Sequence, residues 1–522
     1  MKKLLIILPF LLLGVVLSAA IKPSTLFGDH MVLQRDVAIP VWGDADPGET
    51  VTINFNKQKV TTKADANGRF MVQLKKQKAG GPYTLEIKGK NDQVVINDVY
   101  VGEVWLASGQ SNMDMTVARE DRYWCGVHNE ADEVATANYP LIRIFDVDFT
   151  PNNAVQRNAV GRWEVISPLT VGHHSAAAYF FARDLHKHYN IPVGVITSAF
   201  GASTAETWIS KEALEAQPTL KSLLDAYEQK LSKFEADSAE TMPKYREGML
   251  SFADRMAEVR AAGGDADAVR RVRAPRNPNP EVDQHNPFVC YNGMIAPLVP
   301  YALRGAIWYQ GESNGPSANE YRTIMETLVN DWRARWNLGD FPFLYVQLAN
   351  YGKTPMQQPV EHGSMMVVRE AQLQNLSINN TAMVVAIENA KNYPGDIHPK
   401  NKQDIGSWLA LAARAKAYGE DIVYSGPLYV SHQVEGHRIR LHFEHVGTGL
   451  VAKDGKLTGF AICGEDQKWV WADAVIEGNT VLVTSPDIAA PVAVRYCWGT
   501  NPDASLHNRE GLWTPHFRTD NF

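Results

Sequence analysis

Four polar segments, far apart along the chain, carry the residue types that acyl transfer requires: Gly109-Gln110-Ser111-Asn112, Gly201, Gln310-Gly311-Glu312-Ser313-Asn314 and Asp396-Ile397-His398-Pro399. A serine hydroxyl is a weak nucleophile until a base takes its proton, and an imidazole that titrates near neutral pH suits that task. Ser111 and His398 are therefore the candidate nucleophile and base. An acid must hold the ring's other N–H and stabilise the imidazolium; Asp396 is the nearest one in sequence. The tetrahedral intermediate needs donors aimed at its oxyanion, each worth on the order of 3 kcal/mol. The N–H of Ser111 at a helix start, the unobstructed N–H of Gly201, and a side-chain amide from Gln310 or Asn314 are the candidates. Taken alone, each is ordinary: a serine after glycine is usually a turn, and a histidine before proline is usually structural.

The case rests on the elements that position them. Residues 99–107 form an apolar strand that runs into the Ser111 segment, 193–197 a strand that runs into Gly201, and 303–309 a strand that runs into Gln310. Further strands are expected over 341–348 and 381–387, and helices over 176–189, 319–336 and 402–418. Strands alternating with helices imply βαβ units and a parallel sheet covered on both faces. Ligands bind such sheets at the carboxyl ends of the strands, where all four segments fall. The fold class is thus α/β.

Around this core, residues 21–98 read as a small β-sandwich, with strands over 38–42, 51–55 and 83–87 and turn signals at Asp46-Pro47-Gly48, Ala66-Asn67-Gly68 and Gly80-Gly81. The catalytic domain is expected over 99–420, and residues 421–522 are again β-rich. Residues 211–284 interrupt the core with a charged, helical stretch, readable as a lid or as a solvated hairpin without a role.

Three blocks, Ala107-Ser-Gly-Gln-Ser-Asn-Met113, Trp308-Tyr-Gln-Gly-Glu-Ser-Asn314 and Asp396-Ile-His-Pro399, resemble the signatures of sialate O-acetylesterases, members of the SGNH-hydrolase superfamily. The resemblance extends to Asp29-His-Met-Val-Leu-Gln34, Pro40-Val-Trp-Gly43, Asp46-Pro-Gly-Glu49, Tyr291-Asn-Gly-Met294, Arg369-Glu-Ala-Gln372 and Asn508-Arg-Glu-Gly511, nearly the whole mature chain. It implies a flavodoxin-like three-layer α/β/α core and a serine esterase that removes O-acetyl groups from sialic acid or from a plant glycan such as xylan, without cofactor or metal. It makes Ser111 the nucleophile, His398 the base, and Ser111, Gly201 and Gln310 or Asn314 the oxyanion hole, with Gln310 preferred; Glu312 would brace its loop. The superfamily usually places its acid three residues before the histidine. Here that position is Gly395, and Asp396 is two before. Glu388 or a backbone carbonyl is the alternative partner for the ring. A non-catalytic carbohydrate-binding protein is the rival reading.

Composition narrows the rest. Lys2 and Lys3, an apolar run over 4–17 and the small residues Ser18-Ala19-Ala20 read as a signal peptide over 1–20. The mature protein is expected in the periplasm or outside the cell, with no membrane segment. With 51 basic against 58 acidic residues the net charge is −7, which gives no footprint for nucleic acid. No Cys-x-x-Cys or His-rich cluster points to a metal. Cys125, Cys290, Cys463 and Cys497 are either buried thiols or contain a disulfide, for which Cys463–Cys497 is the pair favoured by position. Arg270, Arg271, Arg273 and Arg276 could attract a sugar carboxylate. Oligomeric state is not legible in the sequence.

Overall fold

The structure, a computed structural model, describes residues 20–120, 122, 124–264, 268, 272–387 and 395–522. Nearly all of the expected signal peptide lies outside these residues, as do Arg270, Arg271 and Glu388. Among the described residues, no helix is long and apolar enough to cross a membrane.

The centre is a mixed sheet. Its main path uses β1 (Gln93–Gly109), β2 (Tyr139–Val147), β3 (Gly161–Ile166), β4 (Val193–Ala199), β5 (Gly305–Tyr309), β6 (Phe343–Gln347) and β7 (Thr381–Val385), in the order β3-β2-β4-β1-β5-β6-β7. All neighbours are parallel except β3, which runs antiparallel to β2 at the edge. The residues of β5 and β6 alternate between two apolar cores, as a strand's period of two requires. Ala306, Trp308 and Tyr345 face a core shared with α4 (Tyr321–Trp336) and α5 (Ser364–Gln374). Ile307, Tyr309, Leu344 and Val346 face one shared with α2 (Ala176–Tyr189) and α6 (Lys402–Tyr418). The helix start at Ala176 is set by Ser175, whose hydroxyl accepts from the Ala178 N–H at 3.2 Å.

The register of three strands lines up the site. In the ladders, Ala199 of β4 and Tyr309 of β5 both stand beside Gly109 of β1. The chain therefore leaves the sheet toward Ser111, Gly201 and Gln310 at one level. Gly109 has φ +142°, and a Cβ there would sit 2.2 Å from the Tyr309 carbonyl oxygen.

Two features differ from expectation. The boundary at 98/99 falls inside β1, a single strand of 17 residues. Its first half pairs with Gly80–Lys88 and its middle with Val32–Gln34, so the N-terminal β region and the parallel sheet share one 11-stranded sheet. A second small sheet, Lys22–Pro23, Ile39–Asp44 and Arg69–Leu74, packs beside it. The strands β2 and β3 were also not expected.

The insertion over 211–284 is dominated by one helix, α3 (Lys221–Ala261), whose only buried residue is Tyr227. Its base is anchored by Tyr227 against Phe288 at 5.2 Å and by Lys230 Nζ on Asn286 Oδ1 at 2.6 Å. The C-terminal region holds two four-stranded antiparallel sheets in part or whole, beginning at Leu428–Glu435. All four cysteines are buried free thiols.

Gly109→Ala should destabilise the protein by at least about 2 kcal/mol, since the added methyl meets backbone that cannot yield. A fall in melting temperature measures it; an unchanged value would mean that the strand ends are not held in this register.

Candidate active site

Gln110 precedes a single helical turn, α1 (Ser111–Asp114), and locks it in place: its side-chain oxygen accepts the N–H groups of Gly311 at 3.1 Å and Ser313 at 3.4 Å. As the first residue of that turn, Ser111 has an N–H without an intrahelical acceptor. Its hydroxyl lies 2.9 Å from His398 Nε2, although 287 positions separate the two residues. The His398 ring is also covered by Trp124, with ring centroids 4.8 Å apart. Burial, together with the positive charges of Lys402 and Lys400, lowers the imidazole to about 4; Asp396 pulls in the opposite direction.

Gly201 stands directly beside the serine. A Cβ on it would lie 3.8 Å from the Ser111 Cβ and 3.9 Å from Asp114 Oδ2. Its N–H has no hydrogen-bond partner among the described residues, and its carbonyl accepts from Gln284 at 3.3 Å.

Three expected roles meet a different geometry. The Asp396 carboxylate accepts the backbone N–H of His398 at 3.0 Å, and no hydrogen bond joins it to the ring. Its position two residues upstream lets it cap the turn rather than reach Nδ1. Nor can Gly395 be restored to an acid in this conformation. It has φ +65°, and a Cβ would lie 2.0 Å from the Gly352 carbonyl oxygen. The Gln310 amide is committed to the interior: its nitrogen donates to Ser203 O at 3.1 Å and Asn314 Oδ1 at 2.6 Å, and its oxygen accepts from Tyr321. Asn314 is likewise fully used, donating to Glu206 at 2.8 Å and Ser317 at 3.1 Å and accepting from the Ala205 N–H. Both are completely buried. They set the loop's shape, and neither amide faces Ser111 with a free donor. Glu388 lies outside the described residues.

The sequence reading overlooked the residue that joins these segments. Asn112, fully buried, donates to Glu312 Oε1 at 2.6 Å and to the Ile397 carbonyl at 2.9 Å, and its oxygen accepts from Lys402 Nζ at 2.9 Å. Lys402 also donates to Pro399 O at 2.6 Å. Burial pushes the Glu312 carboxyl up, against the pull of Asn112 and Lys402. Arg369 and Gln372, quoted above only as part of a block, are structural braces. Gln372 donates to Gln310 O at 3.1 Å. The buried Arg369 guanidinium donates to four carbonyls, those of Leu348, Ala349, Gly499 and Thr500.

Asp114, on the serine's own turn, opens onto a cavity of about 540 Å³ lined also by Arg122, Asp146, Phe149 and His173. Burial raises Asp114 to about 6, although Arg122 contacts it at 2.8 Å. Phe149 stacks on Phe200 at 4.6 Å and 12°, leaving a half-exposed flat ring next to Gly201.

Residues 289–414 match the family described as carbohydrate esterase, sialic acid-specific acetylesterase. The chain is 33% identical to a structurally characterised carbohydrate acetylesterase from Xanthomonas citri, with a TM-score of 0.78, over 96% of this chain and 100% of that one. The chain belongs to the same family of carbohydrate acetylesterases. It is also 28% identical to the sialate O-acetylesterases of Mus musculus and Homo sapiens, over 91% and 92% of this chain and 88% of each of theirs. It is therefore an esterase, and hydrolysis of O-acetyl esters is the activity that membership supports.

Asn112→Ala should cost the esterase about 2–4 kcal/mol, because it leaves a buried ammonium, a carboxylate and a carbonyl without their shared partner. Chemical denaturation of the variant beside wild type measures this. Gly395→Asp should lower stability and activity together; a gain in kcat would show that the loop can accommodate an acid there.

Proposed function

We propose that this protein is a serine O-acetylesterase of carbohydrates, with an SGNH-type three-layer core, exported by a signal peptide over residues 1–20. The observation that carries the mechanism is the 2.9 Å contact between Ser111 Oγ and His398 Nε2. His398 Nε2 takes the hydroxyl proton as Oγ attacks the acetyl carbonyl carbon. The oxyanion is held by the N–H groups of Ser111 and Gly201, neighbouring residues whose Cβ positions are 3.8 Å apart. Collapse of the intermediate breaks the bond to the sugar oxygen, which leaves with the proton from His398, and an acetyl-serine remains. Water, deprotonated by the same imidazole, then releases acetate and restores the hydroxyl.

Asp396 acts through the backbone turn that presents the ring and through its charge, which favours the imidazolium. The half-exposed Phe149 ring offers a sugar the flat apolar surface that such ligands stack on. The printed names of the mammalian relatives favour O-acetylated sialic acid. A second reading, a neutral acetylated glycan, is favoured by the three carboxylates of Asp114, Asp146 and Asp148 around the adjacent cavity, which repel a sialate carboxylate. Acetate release from a panel of acetylated sialic acids and acetylated xylan distinguishes the two.

Ser111→Ala should reduce acetate release by about four orders of magnitude at unchanged melting temperature; equal hydrolysis by variant and wild type would remove Ser111 from the mechanism. The base works only while neutral. Because burial and two lysines depress it, protonation sets in only at acid pH. The acid limb of kcat/KM should therefore have its midpoint near 4, not near the 6.5 of an ordinary histidine. A limb at or above 6.5 would mean that the ring is solvated or paired with a carboxylate.

A further inference from the structure

The edge of the sheet carries a group of residues that the esterase reaction does not use. Glu164 lies on the edge strand β3, and His173 and His174 lie at the turn before α2. One ligand atom from each, two imidazole nitrogens and a carboxylate oxygen, can be chosen so that all three lie within 4.8 Å of one another.

The decisive observation concerns His174, which is 1% exposed. Its Nδ1 lies 2.6 Å from Asp146 Oδ2. A carboxylate there accepts the Nδ1 proton, which leaves Nε2 with a lone pair. That Nε2 is buried and has no hydrogen-bond partner among the described residues. It faces Glu164 Oε2 at 3.5 Å. A buried acceptor thus confronts a partly exposed one that, among the described residues, only His173 Nε2 otherwise contacts, an arrangement that a cation among the three would satisfy.

We infer that Glu164, His173 and His174 form a binding site for a divalent transition-metal ion of the zinc type. Two imidazoles and one carboxylate are a donor set that such an ion favours. In a tetrahedral site with bonds of about 2.0–2.1 Å, neighbouring donor atoms stand about 3.4 Å apart. The His174–Glu164 separation of 3.5 Å already meets this. His173 Nε2 now lies 2.5 Å from the same Glu164 oxygen and must draw back by about 0.9 Å to the spacing of a tetrahedral zinc site. Its side chain is 42% exposed, which leaves the ring room to do so. The other Glu164 oxygen is taken by Arg162, at 2.6 and 2.8 Å, which leaves Oε2 for the ion. Asp146 supplies the carboxylate–histidine support that metal-bound imidazoles commonly have. Three protein ligands leave a fourth position to water.

The site is wired to the nucleophile's segment. The Ser175 hydroxyl donates to Met113 O at 2.6 Å, the Val117 N–H to His174 O at 3.1 Å, and the Ala176 N–H to Met115 O at 2.8 Å. An ion clamping 173–174 to β3 would fix the turn against which the chain just after Ser111 rests.

The test is zinc binding by the full-length mature chain, stripped with a chelator and titrated with zinc chloride by calorimetry, with metal content measured after dialysis. The expected result is one zinc per chain, with affinity at least about tenfold weaker in His173→Ala and in Glu164→Gln and about 10–100-fold weaker in Asp146→Asn. His173→Ala alters a half-exposed side chain, and its far-ultraviolet circular dichroism should match wild type without metal. Absence of saturable uptake by wild type, or uptake that none of the three substitutions weakens, would overturn the site.

Discussion

One buried carboxamide ties together the segments that surround Ser111 and His398. Asn112 faces a carboxylate, a carbonyl and an ammonium drawn from three other parts of the chain, and it satisfies all three because an amide alone offers both donors and an acceptor on one rigid plane. An aspartate would lose the two donors, and an apolar residue all three bonds. The arrangement has an electrostatic side effect. Lys402, fully buried to serve this amide, is also among the charges that keep the imidazole neutral. The clasp beside Ser111 and His398 thereby contributes to the protonation state of the imidazole.

The C-terminal β region takes part in this geometry through backbone carbonyls. Arg369 binds the carbonyls after β6 and those of Gly499 and Thr500 with one guanidinium, and burial lowers it to about 10. Asn501 donates to Gly352 O at 2.6 Å, and Gly352 in turn donates to Gly395 O at 2.8 Å, three residues before His398. The loop bearing His398 is thus supported from outside the parallel sheet.

Much of this was legible in the sequence. Helices over 176–189 and 402–418 begin and end where expected, because each combines a long apolar stripe with a polar cap and a left-handed stop. The convergence of Ser111 and His398 followed from placing polar segments at strand ends. What escaped was of two kinds. The strand Tyr139–Val147 has Pro140 as its second residue, which argues against a strand, and Gly161–Ile166 is a half-exposed edge strand with weak alternation. The roles of Gln310 and Asn314 escaped for another reason. Sequence position puts an amide at the sheet edge but does not tell which way it turns, and both turn inward because Glu206, Ser317, Ser203 and Tyr321 wait there for partners. The role of Asn112 is not legible in local sequence because its partners, Glu312, Ile397 and Lys402, lie far along the chain.

The single strand Gln93–Gly109 governs how the molecule can be rearranged. Its backbone is irregular at Asp98, which has φ +54° where the pairing with Gly80–Lys88 slips register, and ladder pairing continues on both sides of it. The amino-terminal strands and the strand that leads to Ser111 are parts of one hydrogen-bonded sheet, and a cut near residue 98 would sever a strand that both share. A ligand seated on the amino-terminal strands would be linked to the Ser111 segment through this one shared strand.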